Sequence, residues 1–284
     1  MIQETNSTIR KHNIKLTKSL GQNFLIDENI ITKIVDQGDV TKEDLVIEIG
    51  PGIGNLTREL AKRAGFVVAV EIDKHLIDAL NENLGEFDNV KIINEDILKV
   101  DIDDLINSTN LSSVKVVANL PYYITTPIIM KLLEKETKIN KMIFMIQKEV
   151  AKRIVSREGT KDYGALSIAV QYYSTPKIAF IVSPNCFIPK PEVDSAVIEL
   201  DIDKEPKVCL KSKDVFRKTV KAAFSQRRKT LINALSSSMG FNLTKDEYKE
   251  MFKELEIGEN QRGETLSIYK FADLSNKIYE KIEK

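Results

Sequence analysis

The sequence predicts a doubly wound α/β fold: a mostly parallel sheet with an antiparallel hairpin at one edge, followed by a small helical domain. Three observations predict it. Short apolar runs alternate with helix-length polar stretches from Leu45 to about Leu200. The last two runs stand too close together for a helical crossover. After Lys204-Glu205-Pro206 the pattern changes to helical periodicity.

The strand candidates come in order as LVIEIG (Leu45 to Gly50), FVVAVEID (Phe66 to Asp73), VKIINED (Val90 to Asp96), VKVVANL (Val114 to Leu120) and KMIFMIQ (Lys141 to Gln147). Near-continuous Val/Ile runs suit strands buried on both faces of a parallel sheet, linked by right-handed crossovers. IAFIVS (Ile178 to Ser183) and SAVIELDI (Ser195 to Ile202) are separated only by Pro184 to Asp194, so they read as an antiparallel pair. Five parallel strands with such a hairpin resemble the Rossmann-like sheet of class I methyltransferases. Beyond the boundary, Val220, Phe224, Leu231 and Leu235 fall on one helical stripe. Arg217, Lys221 and Arg228 border it, with Lys218 and Lys229 further round. The expected domains are residues 1–204 and 205–284.

A chain of 284 residues, 42% hydrophobic and 30% charged, belongs to the ordinary globular class. No apolar run approaches the roughly 18 residues of a membrane span. The start, MIQETNSTIRKHNIK, has no signal-peptide core. Two cysteines, Cys186 and Cys209, make a disulfide framework implausible and point to a reducing cytoplasm. His12 and His75 stand in no metal-ligand spacing, so no metal is expected. Net charge is zero, yet Lys211 to Thr230 holds eight basic residues and one acidic one. A local basic stripe binds nucleic acid without a basic pI, though such a run is more often a solvated helix face.

The first strand ends in Glu48-Ile49-Gly50-Pro51-Gly52-Ile53-Gly54. Glycines permit a sharp turn and a close ligand approach. This GxGxG is not the dinucleotide GxGxxG, and a plain strand-to-helix turn also uses glycine. The second strand ends in Glu71-Ile72-Asp73, where an acidic residue can accept from both ribose hydroxyls. The third ends in Glu95-Asp96, where a carboxylate can accept from an adenine amino group. Together these fit a nucleoside-containing cofactor, either NAD or S-adenosylmethionine.

The stretch ANLPYYI (Ala118 to Ile124) separates the two. An exocyclic adenine amine is a poor nucleophile because its lone pair is conjugated with the ring. Acceptors on its two protons help localise that pair. The Asn119 side-chain oxygen can take one proton, and a carbonyl presented by Leu120-Pro121 the other. Tyr122 can stack on a base drawn out of its helix. The plainer alternative is an Asn capping the next helix, with the tyrosines in the core.

The chain resembles the ribosomal RNA adenine N6,N6-dimethyltransferases, most closely those of the small subunit (16S rRNA). The matching motifs run nearly its whole length: SLGQNFL (Ser19 to Leu25), EIGPGIGNLT, EID, NED, NLPYYI, FIPKPEVDSAV (Phe187 to Val197) and FSQRRKTLINAL (Phe224 to Leu235). The resemblance implies S-adenosylmethionine as cofactor. It also implies dimethylation of N6 on two adjacent adenosines in the loop of the 3′-terminal hairpin of 16S rRNA, within an immature small subunit, by a cytoplasmic monomer. By the same resemblance, Asn23 and Leu25 close over the cofactor, Gly50 and Gly52 form its turn, Glu71 holds ribose and Asp96 adenine. Asn119 serves cofactor and target amine, and Phe187 stacks opposite Tyr122. From the basic border of the apolar stripe, Arg217, Lys221, Arg227, Arg228 and Lys229, taken as one helix, are expected to contact RNA phosphates; the alternative is that the arginines pair with acidic residues such as Glu247 or Glu250 and hold the small domain together. Arg10, Lys11, Lys15 and Lys18 in the N-terminal tail are further candidates for RNA contact. The proton released from the amine goes to water, so no general base is expected. The alternatives are the related 23S rRNA dimethyltransferases of antibiotic resistance, and a mainly non-catalytic assembly factor.

Overall fold

The computed structural model describes residues 1–14, 20–135, 138–238 and 240–283. Ser19, Lys15 and Lys18, named above, lie outside them. In chain order the helices and strands are α1 (Ile2–Lys11), β1 (Phe24–Leu25), α2 (Glu28–Gln37), β2 (Asp44–Ile49), α3 (Asn55–Arg63), β3 (Phe66–Glu71), α4 (Ile77–Leu84), β4 (Val90–Asn94), α5 (Ile102–Asn107), β5 (Ser113–Asn119), α6 (Thr125–Glu134) and β6 (Ile139–Gln147). They continue with α7 (Lys148–Val155), α8 (Ala165–Tyr173), β7 (Ser174–Val182), β8 (Phe187–Ile188), β9 (Ser195–Ile202), α9 (Lys213–Ser225), α10 (Leu231–Ser237), α11 (Lys245–Glu254) and α12 (Ile268–Ile282). The chain divides into two compact units. One is Met1–Ala151 with Thr175–Ile202, the other Lys152–Ser174 with Asp203–Lys284.

The first unit is built on a seven-stranded sheet of order β4-β3-β2-β5-β6-β9-β7. β4 through β6 pair in parallel, β9 runs antiparallel to β6, and β7 lies outside it. This is the mostly parallel sheet with an edge hairpin that the sequence predicts. Every residue of β2 is buried, as helices on both faces require. β4 is the exception among the parallel strands. Its VKIIN run is largely half-exposed because it forms an edge, and Lys91 on it discourages further pairing. The link between β7 and β9 is more than a turn: β8 within it pairs antiparallel with β1, Leu25 opposite Phe187.

The second unit packs α8 to α12 around Tyr163, Phe216, Leu231, Tyr248, Phe252 and Phe271. It takes in Lys152–Ser174, which the boundary expected near residue 204 assigns to the sheet domain. Ile168 and Tyr172 of α8 are buried in the second core, and the Tyr163 hydroxyl donates to the Leu266 carbonyl at 3.0 Å.

The single basic helix expected around Val220 to Leu235 is two helices. α9 stops at Ser225 and α10 starts at Leu231, so Arg227, Arg228 and Lys229 occupy the turn between them and do not share a helix with Arg217 and Lys221. The i→i−4 ladder is broken because Leu231 N–H donates to the Gln261 carbonyl at 2.7 Å. Arg227 reaches back to the carbonyls of Lys161 and Tyr163 and pairs with Glu264.

Candidate functional site

The carboxyl ends of β2, β3 and β5, the loop after β4 and the segment around β1 enclose one cavity. Its wall includes Asn23, Leu25, Gly50, Gly52, Glu71, Asp96, Asn119, Leu120, Pro121 and Tyr122, so every expected catalytic and cofactor-binding residue except Phe187 converges there. This is where open α/β sheets bind ligands.

The glycine turn makes the floor. Gly50 and Gly52 have φ of +68° and +63°, a left-handed backbone that suits glycine. A Cβ on Gly52 would stand 2.9 Å from the Phe24 ring, so the segment around β1 lies directly on this turn. The same segment is tied down elsewhere. Gln22 Nε2 donates to Asp73 Oδ2 at 2.7 Å, and Asn55 Nδ2 donates to the Leu25 carbonyl at 2.8 Å.

Asn119 ends β5, and its Nδ2 donates to the Asn23 carbonyl at 2.9 Å. A carbonyl only accepts, which fixes the amide orientation and leaves Oδ1 as the available acceptor. Leu120 N–H donates to the Met145 carbonyl at 3.0 Å, and the Pro121 carbonyl accepts from the Thr125 hydroxyl at 3.0 Å. The backbone of the motif is therefore held from two sides. Tyr122 is half-buried with its hydroxyl 2.7 Å from Ser195 Oγ, while Tyr123 is exposed. The plainer alternative of an Asn helix cap does not apply: Asn119 caps nothing, and α6 begins at Thr125.

Phe187 differs from expectation. It is 1% exposed, packs with Leu25, Val182 and Val197, and does not line the cavity. The pairing of β8 with β1 turns it inward. Cys186 beside it is half-buried with Sγ 3.6 Å from Asp27 Oδ2, and burial pushes its thiol up.

The electrostatics are one-sided. Glu48, Glu71, Glu95 and Asp96 line the cavity, and among the described residues no Lys, Arg or His does. Glu71 is held by backbone N–H groups, accepting from Asp73 at 2.8 Å and Gly52 at 3.2 Å, while burial pushes it up to about 7. Glu48 is 1% exposed and its Oε2 has no hydrogen-bond partner. Burial pushes it up to about 8, and the Glu71 charge adds to this. A carboxyl raised in the fold binds more protons folded than unfolded. Its stability contribution is complete below the ordinary value near 4.5 and is lost as pH rises through about 8. The cofactor-free protein should therefore lose up to about 1.4 kcal/mol per pH unit from this group across that window. Glu48→Gln should gain melting temperature over wild type progressively from pH 5 to pH 8. Parallel melting curves for the two proteins would show that Glu48 does not titrate there.

Two supports went unseen in the sequence. Lys131, one turn after the cavity residue Ile128 on α6, donates to the carbonyls of Ile97 and Val100, both at 2.7 Å, and so fixes the loop carrying Asp96. A lysine in an amphipathic helix gives no sign of this. Ser195 lies inside the PEVDSAV motif, but nothing local links it to Tyr122. Among the described residues no cluster of His, Cys, Asp or Glu is arranged to hold a metal ion, and no helix is long and apolar enough to cross a membrane.

A family model described as "Ribosomal RNA adenine dimethylase" matches residues 13–278. The chain belongs to this family. It is similar to the ribosomal RNA small subunit methyltransferase A of Alkaliphilus oremlandii, 52% identical over 281 residues, covering 99% of this chain and 98% of that one. The protein of the same name from Clostridioides difficile is 53% identical over 279 residues, covering 98% and 96%. A crystal structure of a dimethyladenosine transferase from Plasmodium falciparum superposes with a TM-score of 0.75 at 24% identity, covering 88% of this chain and 95% of that one, which shows the shared fold. The chain is thus an rRNA adenine dimethyltransferase, and the family's methyl donor is S-adenosylmethionine. The cavity fits that donor: Glu71, Glu95 and Asp96, beside a Glu48 that burial keeps largely protonated below about pH 8, form an acidic wall without a basic group, which accommodates a cationic sulfonium and ammonium and disfavours a dinucleotide's pyrophosphate.

Proposed function

We propose that this enzyme dimethylates N6 of two adjacent adenosines in the 3′-terminal hairpin loop of 16S rRNA, acting in the cytoplasm as a monomer on an immature small subunit. The acidic cavity bordered by the oriented Asn119 amide carries the chemical part of this reading. The small-subunit names of relatives at about half identity favour 16S over 23S rRNA.

S-adenosylmethionine, when bound, supplies an electrophilic methyl on positively charged sulfur. In this reading Glu71 accepts from ribose and Asp96 from adenine, while Asn23 and Leu25 close the wall across from them. The Asn119 Oδ1 accepts one N6 proton and the Leu120 carbonyl the other, drawing the nitrogen lone pair toward the incoming methyl. Tyr122 stacks on the extruded base. As the nitrogen forms its bond to the methyl carbon, the methyl–sulfur bond would break with its electron pair leaving on sulfur as a neutral thioether, and the nitrogen then releases one proton to water. The chain's contribution is proximity, orientation and preorganised acceptors.

Mass spectrometry of rRNA, after incubating undermethylated small subunits with labelled S-adenosylmethionine, tests the assignment. Label should appear on two neighbouring adenosines near the 3′ end of 16S rRNA. Undermethylated large subunits incubated in parallel should stay unlabelled; label on their 23S rRNA with none on 16S rRNA would overturn it. Glu71→Ala should weaken S-adenosylmethionine binding by about 1–3 kcal/mol, the range for an unpaired polar group. Titration calorimetry reads this directly, and binding of NAD in its place would refute the cofactor role.

A further inference from the structure

We propose that Ser195 is a positioning residue for methyl transfer: its hydroxyl fixes the ring plane of Tyr122 against the target base. The proposal rests on the base-stacking reading of Tyr122 and adds to it the group that makes stacking productive.

Tyr122 stands on the cavity wall, but its hydroxyl meets Ser195 Oγ at 2.7 Å. Ser195 is fully buried and is not part of that wall. The ring therefore spans from the cavity into the interior, anchored at both ends. Pinning the Cβ end and the oxygen would still allow rotation about the axis joining them. A phenolic O–H prefers the plane of its ring, so a hydrogen bond at this oxygen sets the ring plane as well.

Ser195 can act as a fixed reference because the sheet holds it. It pairs with Gln147 of β6, and its neighbour Asp194 accepts from the Lys148 N–H at 3.0 Å and pairs with Lys148 Nζ at 2.9 Å. The same strand holds the other side of the motif: Met145 pairs with Asn119 and takes the Leu120 N–H. Acceptor and stacking ring are thus both referenced to β6. The geometry relating them is set by sheet register, not by the loop between them. Reacting groups must be held within small angular limits for such alignment to raise a rate.

The test is single-turnover methyl transfer to undermethylated small subunits with labelled S-adenosylmethionine. Ser195→Ala and Tyr122→Phe should each slow the chemical step about three- to tenfold, the net worth of one hydrogen bond. The double variant should be no slower than either single one, since both remove the same bond. Ser195→Thr, which keeps the hydroxyl, should recover most of the rate. Affinity for S-adenosylmethionine should stay at the wild-type value in all of them. Losses that multiply in the double variant overturn the proposal. So does a Ser195→Ala protein that loses cofactor affinity along with rate, since that marks a merely structural role. Wild-type rates in Ser195→Ala alongside a slow Tyr122→Ala overturn it while leaving the stacking reading standing. A wild-type rate in Tyr122→Ala sinks the stacking reading and this proposal together.

Discussion

Asn119→Ala should slow methyl transfer by about 10²-fold, the usual effect of removing one preorganised acceptor from a reacting centre. RNA binding should be nearly unchanged. The size follows from what the side chain does at each end. Its Nδ2 is committed to the Asn23 carbonyl, which holds Oδ1 in place before substrate arrives. Alanine removes the acceptor and also frees the segment around β1, so a modest weakening of cofactor binding should accompany the loss of rate. Asn119→Asp separates the two effects. It keeps an oxygen but places a carboxylate against the Asn23 carbonyl, where the amide donated a hydrogen bond. It should therefore loosen the cofactor wall and still be slow. Single-turnover kinetics with labelled donor, beside filter binding of the RNA, distinguish these outcomes. A rate within a few-fold of wild type in Asn119→Ala would remove the acceptor from the mechanism. A dead enzyme that still supports subunit maturation would shift weight to the assembly role.

What the sequence could carry was set by how local the determinants are. LVIEIG followed by GPGIG is readable because an apolar run and positive-φ glycines are properties of consecutive residues. The convergence of Glu71, Asp96 and Asn119 follows from parallel strands, whose carboxyl ends share one edge by construction. Three features were not legible because distant residues decide them. Val220, Phe224, Leu231 and Leu235 keep one stripe whether the helix is continuous or bent. The break comes from Arg227 bonding carbonyls more than sixty positions earlier and from Gln261 taking the Leu231 N–H. Phe187, expected to stack opposite Tyr122, is instead buried by the pairing of its strand with Leu25. Ala165–Tyr173 has the apolar composition of a helix that covers a sheet, but the core it enters is built, apart from Tyr163, from residues beyond 203.

The broken helix alters what the basic segment should do, and charge reversal exposes the difference. Arg228 and Lys229 are exposed in the α9–α10 turn and form no ion pair among the described residues. Arg227 is engaged with Glu264 and the carbonyls of Lys161 and Tyr163. Reversing Arg228 and Lys229 to Glu should weaken binding to the small subunit. Removing two phosphate-neutralising cations should reduce the slope of log affinity against log salt by about 1.4 to 1.8. Pairing with phosphate adds affinity and register without reading sequence, so the weakening should be similar across RNA sequences. Melting temperature and S-adenosylmethionine affinity should hold at wild-type values. Arg227→Glu should behave oppositely. It strands two carbonyls and sets a carboxylate beside Glu264, so it should lower the melting temperature, by about 1–3 kcal/mol in stability. Its effect on the salt slope should be the smaller one. The ion pairs of Lys218 and Arg217 with Asp214 place these two α9 residues between the extremes, with Lys221 nearer to Arg228. An Arg228→Glu/Lys229→Glu protein that binds subunits with the wild-type salt slope would show that the turn does not touch RNA.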